Sequence, residues 1–328
     1  MGSGRRMSSR PTGPRPADGG GKRAASANPD VGPPRDFVGY GRSPPQPGWP
    51  GDARIAVNFN LNVEAGGERS TLEGDSSSEN ILSDTGYGSY EGARSLMVES
   101  SFEYGPRVGC WRLIRIFKKF DVRISVLAVV RGLQRAPELA RAFVEEGHEI
   151  VSHGWRWIDY TKMDEGQERK HIALATEGLV ALTGQAPIGW FGGRPSINTG
   201  RLLVEQGGYL YDRDYLGDEL PFWVEVGGRK HLIVPYSYET NDSRFDQNNG
   251  FSTADDFTRY MIDCFDLMYE EGADAPKIMS VALHDSLIGR PARALGLIKF
   301  LDYARQRDRV WFCTGRDIAE HWRKEHPP

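Results

Sequence analysis

The stretch VRISVLAVVRGLQRAPELARAFVEEGHEIVSHG, residues 122–154, decides the fold. Val122–Val129 is rich in β-branched and aliphatic residues that favour an extended, buried backbone. Pro137 then opens a helical stretch through Glu146, and Gly147 stands where such a helix stops. Glu149–Ser152 is a second short strand. A strand, a helix and a strand in so short a span form a βα unit with parallel strands.

Working outward, the same alternation recurs about seven times. Strands are expected at Arg54–Asn58, Ile188–Phe191, His231–Pro235, Ile278–Leu283 and Arg309–Phe312. Helices are expected at Val108–Phe120, Asp164–Leu182, Asn198–Gln206, Thr253–Glu271, Ala292–Arg307 and Arg316–Lys324. Thr253 with Asp256 three residues on reads as a capping box. Repeated βα units over about 290 residues point to an α/β fold with a single closed or nearly closed barrel rather than two domains. In such a barrel chemistry sits on loops at the C-terminal strand ends.

Composition bounds the function. The 328 residues carry 41 Lys and Arg against 45 Asp and Glu, a net charge of −4, so no basic field exists to hold nucleic acid or an anionic membrane. The three cysteines, Cys110, Cys264 and Cys313, lie far apart, which argues against a disulfide framework or a cysteine zinc site and fits a reducing, cytoplasmic setting. No apolar run approaches the ~18 residues of a membrane span, and no secretory h-region opens the chain. Residues 1–35 are Gly, Ser, Pro and Arg with little to bury and read as a disordered tail ahead of a barrel over 36–328.

Residues with chemistry cluster after the strands. In Asn58-Phe59-Asn60-Leu61-Asn62-Val63-Glu64, alternation puts three amides and one carboxylate on one side. The Gly- and Ser-rich stretch from Gly66 to Tyr90 is a long loop, a lid, binding loop or oligomer contact, or simply a surface excursion. His153 follows Val151-Ser152 and precedes Gly154, and His284 follows Val281-Ala282-Leu283 in the same way. Arg194 follows Gly192-Gly193 in a turn that leads into a helix. Two histidines and an arginine in equivalent topological places are harder to read as structural than any one of them. Tyr211-Asp212-Arg213-Asp214 and Tyr238-Glu239-Thr240-Asn241-Asp242 are further candidates that read equally well as polar turns.

On these residues the chain resembles the polysaccharide deacetylase superfamily, the NodB homology group, from about residue 36 to the end. Ser152-His153-Gly154, Arg194-Pro195 and Leu283-His284 stand at its motif positions. The resemblance implies a distorted (β/α) barrel, often seven-stranded. It also implies a metal held by Asp, His and His, but here Phe59-Asn60-Leu61-Asn62 replaces Phe-Asp-x-Asp, and Trp157 stands where the second histidine belongs. One histidine cannot hold a catalytic zinc, which generally needs three protein ligands, so no metal and no cofactor is expected.

One branch shares these departures, the metal-independent allantoinases, with cyclic imide hydrolases nearby. Leu61-Asn62-Val63-Glu64-Ala65-Gly66-Gly67-Glu68, Ser152 to Tyr160, Gly189 to Thr199, Tyr236 to Phe245 and Leu283 to Pro291 resemble its motifs in the same order. The resemblance implies a hydrolase that opens a small cyclic amide, with allantoin as the candidate, acting as a homotetramer. His284 is then expected to protonate the departing nitrogen, Glu64 or His153 to activate water, and Arg194 with nearby backbone amides to hold the oxyanion. Asn60, Asn62, Asn241, Asp242, Trp157 and Trp190 are the expected substrate contacts, Trp157 by stacking on the ring in the vacated metal space. The rival readings are another cyclic amide or imide, a metal-dependent sugar deacetylase, and a binding module whose Asp-to-Asn changes record a dead site.

Overall fold

The computed structural model describes residues 32–248 and 250–328; the segment read as a tail lies outside the described residues up to residue 31. In chain order the strands are β1 (Ile55–Val63), β2 (Ser125–Ala128), β3 (Glu149–Ser152), β4 (Gly189–Trp190), β5 (Tyr211–Asp212), β6 (Phe222–Val226), β7 (Arg229–Ile233), β8 (Lys277–His284) and β9 (Val310–Phe312). The helices are α1 (Leu96–Tyr104), α2 (Cys110–Lys119), α3 (Val130–Arg135), α4 (Pro137–Glu145), α5 (Glu165–Thr183), α6 (Thr199–Gln206), α7 (Ala254–Glu271), α8 (Pro291–Arg305) and α9 (Gly315–Glu325).

All seven expected strands are present, and β5 and β6 join them. The sheet runs β6-β7-β5-β4-β3-β2-β1-β8, parallel except for the β6–β7 hairpin, and curls into the expected barrel type. Helices α1 and α3 were not expected; α3 follows β2 directly, and the segment read as continuous strand to Val129 turns helical at Val130. The expected start signals hold: Thr253 and Asp256 form a reciprocal capping box on α7, and Pro137 opens α4. Among the described residues no helix is long and apolar enough to cross a membrane.

β1 pairs with three strands, and all nine of its residues are buried. Its pleat sends Ile55, Val57, Phe59, Leu61 and Val63 into the apolar layer shared with the helices. Along its whole length it pairs with β8, from Ile55 opposite Lys277 to Asn62 opposite His284. It also pairs with two strands in succession, β9 at its start and β2 at its end. Asn58 joins these two: its Nδ2 donates to the Cys313 carbonyl (2.9 Å) and reaches the Ser125 hydroxyl (3.3 Å). The segment Gly105–Gly109 that joins α1 to α2 lies against the loop after β8, and a Cβ at Gly109 would meet the Asp285 carbonyl at 2.0 Å. Only glycine admits that approach.

Asn58→Ala should lower stability by about 1–3 kcal/mol, because the Cys313 carbonyl and the Ser125 hydroxyl lose a partner in a dry interior. A lower urea midpoint with an unchanged slope is the expected result.

Candidate active site

Three strand ends place the titratable groups. Glu64 follows β1, His153 follows β3, and His284 closes β8, so parallel register brings all three to one end of the barrel. A cavity of about 250 Å³ opens there. Its polar lining includes Glu64, His153, His284, Asn62, Arg194, Asn241, Ser243 and Gln247, and its aromatic lining Trp157, Phe191, Tyr236 and Tyr238. Ile81 and Leu82 reach it from the long loop after β1.

The carboxylate of Glu64, itself buried, is the point on which the two imidazoles converge. Its Oε1 lies 3.1 Å from His153 Nε2 and 3.7 Å from His284 Nε2. His153 Nδ1 donates to the Phe191 carbonyl at 2.7 Å, which fixes the ring's orientation. His153 Nε2 therefore faces Glu64 Oε1 within hydrogen-bond reach, with the ring held in place from its other nitrogen.

His284 is held by Asp242. Its Nδ1 donates to Asp242 Oδ1 at 2.6 Å, and its backbone N–H donates to Oδ2 of the same carboxylate at 2.8 Å. Ile288 N–H adds a third bond at 3.1 Å. Burial works against a charged imidazole here, but the Asp242 carboxylate, with Glu64 beside it, outweighs burial and pushes the pKa up to about 9. His284 is thus an imidazolium at neutral pH, with Nε2–H turned toward Glu64.

Arg194 supplies the second positive charge. Its guanidinium stacks over Trp157, 4.6 Å from the ring centroid, and its buried Nη2 has no protein partner. Trp157 in turn packs on Phe102 of α1. The indole face expected to stack on a substrate ring therefore carries the arginine instead. The backbone amides expected to help Arg194 are also taken, since Gly192 N–H and Gly193 N–H both donate to Asp214, which accepts from the Trp190 indole as well. Burial, with Asp212 beside it, raises the Asp214 pKa to about 6.

Several expected contacts lie elsewhere. Asn60 faces the barrel interior a layer below the cavity, bonded to the Ser280 hydroxyl, because two residues along a strand is a step of about 6.6 Å. Trp190 is buried at right angles to Tyr209 on the other face of β4, and its neighbour Phe191 takes the cavity side, stacked on Tyr236 at 4.2 Å. Asp242 sits behind His284 and positions it rather than touching the cavity. Asn241 lines the cavity, but its Oδ1 is spent on Ser243 N–H at the start of a short 3-10 turn. Arg213 is buried against the Pro235 carbonyl and Ser280, and Asp212 pairs with His231 at 2.8 Å.

Asn62 Nδ2 donates to the Tyr236 hydroxyl and to the Leu283 carbonyl, both at 3.0 Å, leaving a buried Oδ1 without a protein partner. The site thus offers an unspent acceptor, Asn62 Oδ1, and an unspent donor, Arg194 Nη2. Phe191 and Tyr236 had no role assigned from sequence, although the Gly189-to-Thr199 and Tyr236-to-Phe245 motifs contain them, and Asp214 stood only in a candidate turn that read equally well as structural.

These donors do not suit the metal that the fold implies. At the family's ligand positions stand a neutral amide, which lacks the charge of the carboxylate it replaces, and an indole, which does not ligate a cation. Both imidazole Nε2 atoms are directed at Glu64 Oε1, and among the described residues no three His, Cys, Asp or Glu side chains form a metal-holding group.

The chain is similar to known proteins over most of its length. Residues 92–199 match the polysaccharide deacetylase family. A Schizosaccharomyces pombe protein named "Putative polysaccharide deacetylase" is 36% identical over 313 residues, 89% of this chain and 98% of that one. The crystal structure of a probable polysaccharide deacetylase from Pseudomonas aeruginosa PAO1 has a TM-score of 0.88 at 51% identity, covering 90% of this chain and 99% of that one. The crystal structure of PuuE allantoinase has a TM-score of 0.89 at 50% identity, covering 91% and 100%. With its motifs, its barrel and these likenesses taken together, the chain belongs to the polysaccharide deacetylase family.

Proposed function

We propose that the chain is a hydrolase of carbon–nitrogen bonds that opens a cyclic amide ring without a metal ion, with allantoin opened to allantoate as its reaction. The observation that carries this reading is the Glu64 carboxylate set between two imidazoles, one of them charged by Asp242, where the family's metal ligands are replaced by Asn62 and Trp157. The likeness to PuuE allantoinase supports the choice of ring.

A metal would contribute several kcal/mol of charge stabilisation to attack on an amide. A ureide ring needs less of it, because charge on the leaving nitrogen spreads into a second carbonyl. In the proposed reaction the Glu64–His153 pair takes a proton from water as its oxygen bonds to the ring carbonyl carbon. Arg194 Nη2 holds the resulting oxyanion, with Trp157 fixing its plane. The carbon–nitrogen bond then breaks, and His284 Nε2 gives its proton to the departing nitrogen. The products are a carboxylic acid and a free urea N–H, and the proton held by the Glu64–His153 pair restores His284. Asn62 Oδ1 accepts from a ring N–H and orients the ring.

The test is hydrolysis of allantoin, hydantoin, succinimide, dihydrouracil and N-acetylglucosamine oligomers with and without chelator. Chelator-insensitive opening of allantoin is expected. Acetate release that requires metal would establish the deacetylase reading instead, which the likeness to proteins named deacetylases also supports. Glu64→Gln and His284→Ala should each lower kcat by about 10²–10⁴, and Arg194→Met by about 10²–10³.

The pH dependence follows from His284. Activity requires its charged form, so kcat/KM should fall as pH rises through about 9. Asp242→Asn removes the largest opposing charge to burial and should move that alkaline limb down by more than one pH unit. The same pairing supports the fold: since the folded pKa lies above the unfolded value of 6.5, its stabilisation is fully present below pH 6.5 and lost as pH rises through about 9. A melting temperature that declines across that window in the native protein, and does so less in Asp242→Asn, is the expected measurement.

A further inference from the structure

One cavity wall comes from two loops that are tied to one another. Leu82, in the long loop after β1, lines the cavity with φ of +57°, and Asp84 follows at +62°. Residues of this size rarely adopt the left-handed region unless surrounding contacts impose it. Here Arg293, at the start of α8, grips Asp84 with two nitrogens at 2.7 Å each. The Asp84 N–H also donates to Asp246 Oδ1 at 3.2 Å, which fastens the loop to the segment that carries Gln247.

In the ring-opening reading Glu64, His153 and His284 address the reacting bond at the strand ends, which leaves these loops to face a group attached to the ring. Among the described residues the Gln247 side-chain amide and the Ser243 hydroxyl have no protein partner, so both are available to such a group. The two cations beside Asp84 are committed, Arg293 to Asp84 itself and Arg290 to the Ser286 carbonyl and Ser101, with Asp84 at 4.0 Å, and Arg194 is engaged with the oxyanion in the reading above. A carboxylate on the ring would exchange water for neutral donors with no uncommitted cation at this wall, whereas a flat group that both donates and accepts matches a primary amide.

We propose that Leu82 and Gln247 select the substituent carried by the ring, favouring an uncharged group of the urea or carboxamide class over a bare ring and over a carboxylate. The inference rests on the ring-opening reading above and specifies the side of the substrate that the reaction does not touch.

Steady-state kcat/KM on allantoin, hydantoin and hydantoin-5-acetate tests it. The native protein should prefer allantoin to both. Gln247→Leu keeps the bulk and removes the amide, and should lower the allantoin-to-hydantoin ratio about tenfold, the loss of one good hydrogen bond. Leu82→Gly puts at φ +57° a residue at ease there, which offsets part of the packing lost against Trp157 and Phe102, and the ratio should fall through a raised KM for allantoin. Rings opened with an unchanged ratio in both variants would overturn this inference alone. Failure of the native protein to open any of the three rings, with acetate released from N-acetylglucosamine oligomers, would overturn the reading beneath it.

Discussion

The pleat of β1 is the constraint on which the rest depends. A two-residue period forces Ile55, Val57, Phe59, Leu61 and Val63 into the helix-facing core and leaves Asn58, Asn60, Asn62 and Glu64 to the barrel interior. Each of those four then meets a different requirement with depth. Asn58 links β1 to β9 and β2, Asn60 bonds β8 through Ser280, Asn62 orients at the rim, and Glu64 enters the cavity. A slip of one residue in register would bury the apolar set inside the barrel and expose the polar set to the helices, so fold and site are specified by the same hydrogen-bond ladder.

The charges at the mouth form an ordered series rather than a cluster. Asp242 faces His284, His284 faces Glu64, and Glu64 faces His153, so each negative group is next to a proton-bearing one. Asp242 is the anchor because it also accepts two backbone N–H bonds, from His284 and Ile288, which hold it in place without help from solvent. Its bidentate role fixes both the ring and the chain that carries it. Arg194 is prepared differently: Asp214 shapes the turn before it by taking the Gly192 and Gly193 amides, and Trp157 supports its plane. In the proposed reaction the oxyanion therefore depends on one guanidinium, in contrast to a hole built from backbone amides.

Much of this was legible in the sequence because β-branched runs, capping residues and Gly or Pro stops are local signals. His153, His284, Arg194 and Glu64 stand at strand ends, and parallel strands bring such ends together whatever their separation in the chain. Depth was not legible: alternation tells which face Asn60 and Asn62 share but not which of them reaches the cavity. The choice between Trp190 and Phe191 turned on the phase of a strand only two residues long, too short for a period to declare itself. Asp242 read as a substrate contact because its partner, His284, is distant in sequence and the bond between them is tertiary. β5 and β6 escaped for related reasons, the first being two residues long and the second pairing antiparallel in an otherwise parallel sheet.

The central claim is that protein charges alone prepare this site for proton transfer, with His284 already an imidazolium. Nitrogen NMR of the histidine side chains, titrated in the substrate-free protein, addresses it directly. The account predicts that the His284 ring keeps both protons through neutrality and loses one near pH 9, with the Nδ1 proton shifted by its short bond to Asp242. Titration of that ring at or below pH 6.5 would contradict it, since His284 would then be neutral where the reaction needs an acid.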